Sequence, residues 1–146
     1  MISKSLEEYL KTIYVLKKEN GNVRITDIAN SMNCTKPSVN KAVNNLKDEG
    51  YLNYEAYGVI ELKEKGEELS KKILETYDIV YLFLKEVLKL NENEAESEAE
   101  KIKNSLNDNT INNLAKYVHR VLGLRSLECN YDINKSKCRE CIKRKV

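Results

Sequence analysis

The chain has 146 residues, enough for one compact domain or for two small lobes sharing a long helix. Charged residues make up 33 % and hydrophobic ones 41 %, with one proline and five glycines, which favours a mostly α-helical protein with few turns. No apolar run reaches the roughly 18 residues of a membrane span, and MISKSLEEYL lacks a signal-peptide core, so the expectation is a cytoplasmic protein with no membrane partner.

The first predicted helix runs through SLEEYLKTIYVLKKENG. Ser5 and Glu8 have the spacing of a capping box, in which each side chain satisfies a free backbone N–H of the first turn. Leu6, Leu10, Ile13 and Tyr14 then repeat at helical spacing, and Gly21 ends the element. A short helix follows Ile25, with Thr26 as its expected cap and Ile28, Ala29 and Met32 turned inward. After the break at Asn33-Cys34-Thr35, Thr35 caps another helix and Pro37 sits in its first turn, where a missing N–H costs nothing. Val39, Val43 and Leu46 form its buried stripe and Gly50 stops it.

Two short helices joined by a three-residue turn make a helix-turn-helix pattern. YLNYEAYGVIELKEKG then reads as two short strands around Ala56-Tyr57-Gly58, which is the hairpin wing of a winged helix. From Glu64 to about Leu90 the sole helix breaker is Gly66, and Leu69, Ile73, Tyr77, Val80, Leu84 and Val87 form one stripe. The segment IVYLFL (79–84) is apolar nearly all round, which suggests a second subunit on one face. Two more helices fit 93–106 and 110–123, capped by Asn93 and Asn109. The expected domains are therefore a winged-helix DNA-binding domain (1–63), a helical dimerisation domain (64–124) and a basic cysteine tail (125–146).

The net charge of +2 gives no general argument for nucleic-acid binding, so a DNA-binding face must be local. The helix capped by Thr35 supplies one. Its buried stripe leaves Lys36, Ser38, Asn40, Lys41, Asn44 and Asn45 facing outward. Lysine attracts phosphate or contacts guanine, while asparagine and serine read base edges in the major groove. The first turn, with Thr35 and Pro37, offers free N–H groups to a phosphate. Tyr57, and Tyr54 beside it, are wing candidates for backbone contact or for packing. An isolated helix with this face would be an ordinary solvated one; the preceding helix, the turn and the hairpin favour double-stranded DNA.

The order SLEEYLKTIYVL…ITDIANSMNCTKPSVNKAVNNLKDEGYLNYEAYGVIELKEKGEEL resembles the metal-dependent repressors related to the manganese and diphtheria-toxin repressors, over about residues 3–123. The resemblance implies a winged-helix domain followed by a dimerisation domain, in the short form without an SH3-like domain. It also implies a homodimer that binds palindromic operators and represses metal-uptake genes when Mn²⁺ or Fe²⁺ is bound.

The family's ligand positions carry over only in part. Glu8 and Glu100 match acidic ligands, but Lys11 stands at the second first-helix ligand and Tyr77 at a histidine. Lys103 and Asn104 replace a Glu-His pair. Mn or Fe at this remnant site is therefore doubtful. Glu8 and Lys11 are i, i+3, as are Glu100 and Lys103. The lysines could bring the positive charge that a metal normally brings and so bridge the two helices. The competing expectation is two exposed helical ion pairs, each worth about 0.2–0.5 kcal/mol.

Cys129, Cys138 and Cys141 form a C-x8-C-x2-C pattern among basic residues. A CxxC pair can chelate one metal and a third thiolate can complete a face, so zinc or an iron–sulfur cluster is a candidate cofactor. Neighbouring lysines and arginines would favour thiolates. A reversible disulfide switch and three idle thiols remain alternatives. A fourth ligand would have to be Cys34, His119, Glu128, Asp132 or a residue of a partner subunit.

With one histidine, no Ser/His/Asp set and no glycine-rich phosphate loop, no enzyme is expected. The sequence points to a homodimeric transcriptional regulator of metal-ion homeostasis, expected to repress, with sensing moved to the tail cysteines. The alternative is a metal-binding or protein-interaction module that uses the winged helix as scaffold.

Overall fold

Helix starts in this chain follow local hydrogen-bonding chemistry, and several fall two residues earlier than expected. The computed structural model describes residues 2–123, so Cys129, Cys138 and Cys141, with Glu128 and Asp132, lie outside the described residues. The chain divides between Lys71 and Lys72 into two compact units, each described by itself.

In the first unit, α1 (Lys4–Asn20) is capped by Ser3, whose hydroxyl accepts from the Leu6 N–H at 3.2 Å. The expected cap, Ser5, lies inside the helix. Starting at Ser3 adds a backbone bond from Glu7 N–H to the Ser3 carbonyl and a Lys4–Glu7 pair. α2 (Ile25–Met32) begins at Arg24, not Thr26, because the Asp27 carboxylate accepts the Arg24 backbone N–H at 2.9 Å. It ends at Asn33, in the left-handed region at φ 54°, a conformation asparagine tolerates.

α3 (Lys36–Asp48) is capped by Thr35 as expected, with Pro37 in the first turn. Val39, Ala42, Val43 and Leu46 are its buried face. α1, α2 and α3 pack together around Leu10, Ile13, Ile28, Val43 and Leu46.

The chain then reverses at Gly50 (φ 82°) into β1 (Leu52–Asn53), which pairs antiparallel with β2 (Glu61–Leu62) in the register Leu52–Leu62 and Asn53–Glu61. A further bridge joins Val23 to Ile60, so the hairpin is stitched to the start of the helix-turn-helix. α4 (Glu64–Leu82) follows at once. Its Gly66 faces the Tyr51 carbonyl so closely that a Cβ there would run into the oxygen. Buried Ser70 donates to the Gly66 and Leu10 carbonyls, at 2.8 and 3.4 Å, which ties the start of α4 to α1.

The second unit contains the end of α4, a π-helical turn at Phe83–Val87, α5 (Glu92–Ile102) and α6 (Asp108–Val121). α5 and α6 are capped by Asn91 and Asn107, not by Asn93 and Asn109. Each amide oxygen accepts an N–H at 2.9 Å, from Glu94 and Thr110 respectively. In the IVYLFL segment Ile79, Val80, Leu82 and Leu84 are buried by the chain's own core, while Tyr81 and Phe83 are half-buried. Much of that segment's all-round apolar character is thus used without a second chain. The π turn, closed by a bond from Leu88 N–H to the Phe83 carbonyl, widens the helix and rephases its stripe.

α5 meets the core through Ala95 and Ala99, both fully buried, with its glutamates outside. On α6 the buried set is Ile111, Ala115, Val118 and His119, and Val121 is exposed. No helix among the described residues is long and apolar enough to cross a membrane.

Candidate nucleic-acid interface and metal-site positions

The arrangement of α2, the Asn33–Thr35 turn, α3 and the hairpin presents one face of α3 outward. Thr35, Lys36, Pro37, Ser38, Asn40, Lys41 and Asn45 are exposed; Asn44 is half-buried and donates to the Asn40 carbonyl at 2.8 Å. The Thr35 hydroxyl accepts from the Ser38 N–H at 3.3 Å and lies 2.9 Å from the Ser38 hydroxyl, which fixes the first turn. Tyr54 is buried, with its hydroxyl donating to the Asn40 side-chain oxygen at 3.4 Å. Its role is therefore to pack the hairpin and orient Asn40, while α3 carries the polar face.

At the hairpin tip Tyr57 is 95 % exposed and has φ 64°, unusual for a residue with a side chain. Its carbonyl accepts from the Arg24 guanidinium at 2.9 Å. Arg24 was not singled out from the sequence, where it precedes a short helix and has no motif around it. Only the tertiary fold brings it to the tip. Cys34, half-buried in the turn, donates to the Met32 carbonyl at 3.4 Å. Its hydrogen bond with the Tyr9 hydroxyl, together with burial, raises the Tyr9 pKa.

The positions at which the resemblance implies metal ligands fall in both units. In the first, Glu8 and Lys11 form an ion pair at 2.9 Å on the partly exposed side of α1. In the second, Lys103 pairs with Glu100 at 2.8 Å, and the two pairs are not alike. The Lys103 side chain is only 2 % exposed, against 49 % for Glu100. Neither pair is the fully exposed one expected: Glu8–Lys11 is half-buried, and Lys103 is buried.

Lys103 Nζ lies 5.9 Å from the Tyr77 ring centroid, and Tyr77 stacks on Tyr81 at 5.9 Å. Burial, then the charges of Glu96 and Glu100, raises the Tyr77 pKa and keeps its hydroxyl neutral. Asn104 is exposed, and its amide donates to the Glu100 backbone carbonyl at 3.4 Å.

This donor set does not fit a hard divalent cation. Two carboxylates already hold ammonium groups, and the phenol is held in its neutral form. Among the described residues no group of three His, Cys, Asp or Glu side chains could hold a metal ion. His119 is a fully buried core residue whose pKa burial lowers, so it is a neutral packing group among Ile111, Ala115 and Val118.

Comparison with known proteins agrees with this architecture. Residues 1–60 match the model of the iron-dependent repressor N-terminal DNA-binding domain. Residues 63–122 match that of the iron-dependent repressor metal-binding and dimerisation domain. An uncharacterised HTH-type transcriptional regulator of Methanocaldococcus jannaschii is 37 % identical over 120 residues, covering 82 % of this chain and 96 % of that one. The HTH-type transcriptional regulator MntR of Lysinibacillus sphaericus is 32 % identical over 118 residues, 81 % of this chain and 84 % of that one.

Among solved structures, the manganese regulator SloR superposes with a TM-score of 0.68 at 24 % identity, over 81 % of this chain and 55 % of the other. This chain thus spans about half of that longer relative. A hypothetical protein from Sulfolobus solfataricus gives a TM-score of 0.66 at 17 % identity, over 82 % and 91 % of the two chains. These structural likenesses establish the fold. With both family models matched in order and relatives aligned over four-fifths of its length, the chain belongs to the iron-dependent repressor family of transcriptional regulators.

Proposed function

We propose that this protein is a homodimeric repressor that reads a palindromic operator with α3 and controls genes of metal-ion homeostasis. The observation that carries the reading is the exposed Lys36–Ser38–Asn40–Lys41 face, set on a three-helix core and flanked by the Tyr57 tip. Two cations give attraction to phosphate, and the amide and hydroxyl groups give base-edge readout. Domain boundaries near 63/64 and 124/125 suit this division of labour. The metal-homeostasis assignment rests on relatives described as manganese regulators.

Binding of the purified protein to promoter fragments tests the reading. A sequence-selective complex should weaken with salt, and Lys41→Ala should lower affinity with a salt slope shallower by about one. Unchanged DNA binding in Lys36→Ala and Lys41→Ala would remove α3 from the interface. Failure to bind any DNA would favour the scaffold module instead.

Sensing is assigned to Cys129, Cys138 and Cys141 rather than to the family site, because only Glu8 and Glu100 keep the acidic ligands there while lysine, tyrosine and asparagine stand at Lys11, Tyr77, Lys103 and Asn104. Zinc, an iron–sulfur cluster or thiol oxidation would serve there. Anaerobically purified protein should contain zinc, or iron with acid-labile sulfide, and Cys138→Ser should lose it. Equal metal content in the variant would retire the tail site.

A further inference from the structure

We infer that Lys103 is a built-in cation of the dimerisation unit, doing without exchange what a bound divalent ion would do at that place. A lysine side chain is almost never fully buried unless it is paired. Lys103 meets that condition with three surroundings: the Glu100 carboxylate at 2.8 Å, the face of Tyr77 at 5.9 Å, and the capping position at the end of α5. The last matters because the C-terminal end of a helix is negative, so an ammonium group is favoured there. Glu96 and Glu100 both act electrostatically on Tyr77, so this face of α5 is acidic before the lysine is counted. Lys103 supplies the compensating charge from inside the chain.

The consequence is a reversal of ion preference. A divalent ion approaching Glu100 would meet a buried ammonium group less than 3 Å from the carboxylate, where low dielectric strengthens repulsion. It would also have to break an existing charge-assisted hydrogen bond. The charge-satisfied state of the Lys103–Glu100 pair is therefore permanent, and the regulator's folded and DNA-binding states are independent of divalent metal at these positions. This inference rests on the repressor reading only for its DNA arm.

The experiment uses the full chain with Cys129, Cys138 and Cys141 replaced by serine, so that the tail cannot answer for the unit. Thermal unfolding is followed with Mn²⁺, then with chelator. The parent should unfold at the same temperature in both. Lys103→Arg, which keeps the cation, should behave like the parent. Lys103→Met should unfold several degrees lower, with no recovery in Mn²⁺. Lys103→Glu should also unfold lower in chelator but recover with Mn²⁺, since two carboxylates then share the site; a merely structural role for the lysine would not create that response.

Operator affinity of the parent, at matched ionic strength, should not differ between Mn²⁺ and chelator. A parent that gains stability with Mn²⁺ at micromolar concentration, with the gain lost in Glu100→Gln, would overturn the inference. So would a Lys103→Met protein as stable as the parent. If no DNA is bound under any condition, the repressor reading fails while the thermal arm still decides the role of Lys103.

Discussion

Single residues in this chain are constrained by what their neighbours already occupy. Gly66 is the clearest case. In the sequence it is a helix breaker in a strongly helical run, yet the helix passes straight through it because the Tyr51 carbonyl occupies the place of a side chain. Gly66→Ala gains at most about 1 kcal/mol of helix propensity but forces backbone apart, an overpacking cost of about 1–3 kcal/mol. Urea unfolding should show a net loss of stability.

His119 gives a second test, because it is the only histidine. Burial depresses its pKa below 6.5, so on acidification the unfolded chain takes up the proton first. Stability should therefore be full above 6.5 and decline as pH falls below it, until the folded imidazole protonates too. The fall in urea midpoint between about pH 7.5 and 5.5 should be smaller in His119→Gln than in the parent.

At the scale of elements, α3 is the piece whose start was legible from the chain alone. A threonine cap, a proline in the first turn and an apolar spacing of four and three residues are all local signals, and all three are used. Thr35→Ala should cost about 1 kcal/mol in unfolding. It should also lower operator affinity more than that stability loss explains, because the first turn faces outward.

The starts of α1, α5 and α6 were legible only to within two residues. Each offers two equivalent caps two positions apart: Ser3 or Ser5, Asn91 or Asn93, Asn107 or Asn109. In every case the earlier one is used, which lengthens the helix and adds backbone bonds. Nothing in the periodicity chooses between them. The π turn at Phe83–Val87, which packs against α5 and α6, left no mark in the periodicity either.

Arg24 belongs at this scale too, as the clasp of the wing. Arg24→Ala removes a hydrogen bond at an exposed site, worth about 0.5–1.5 kcal/mol at most. The expected result is a small change in the unfolding midpoint with a clear loss of operator affinity.

For the whole molecule, the order of domains could be read from motif order, whereas the fate of the metal-site positions could not. That Lys11 and Lys103 pair with glutamates three residues earlier follows from helical spacing; that one lysine is buried and the other partly exposed depends on Tyr77, far away in sequence. The same distinction bears on assembly. After the second unit has formed its own core, Tyr117 and Val121 remain 47 % and 49 % exposed. They lie four residues apart on α6, hence on one face, and Phe83 meets Tyr117 edge-on at 6.5 Å.

Large apolar side chains left in a row on a dimerisation domain are the natural place for a second copy. Replacing both Tyr117 and Val121 with serine leaves the fully buried core residues in place but removes the Tyr117–Phe83 contact and the stabilisation that association adds. The variant should therefore stay folded, with a midpoint below the parent's and independent of protein concentration. Light scattering should then report a monomer where the parent is a dimer. On DNA the two proteins should bind an isolated half-site equally, and the variant should lose most of its advantage on a full palindrome, because that advantage comes from linking two sites. A variant that remains dimeric would move the interface to another face of the unit.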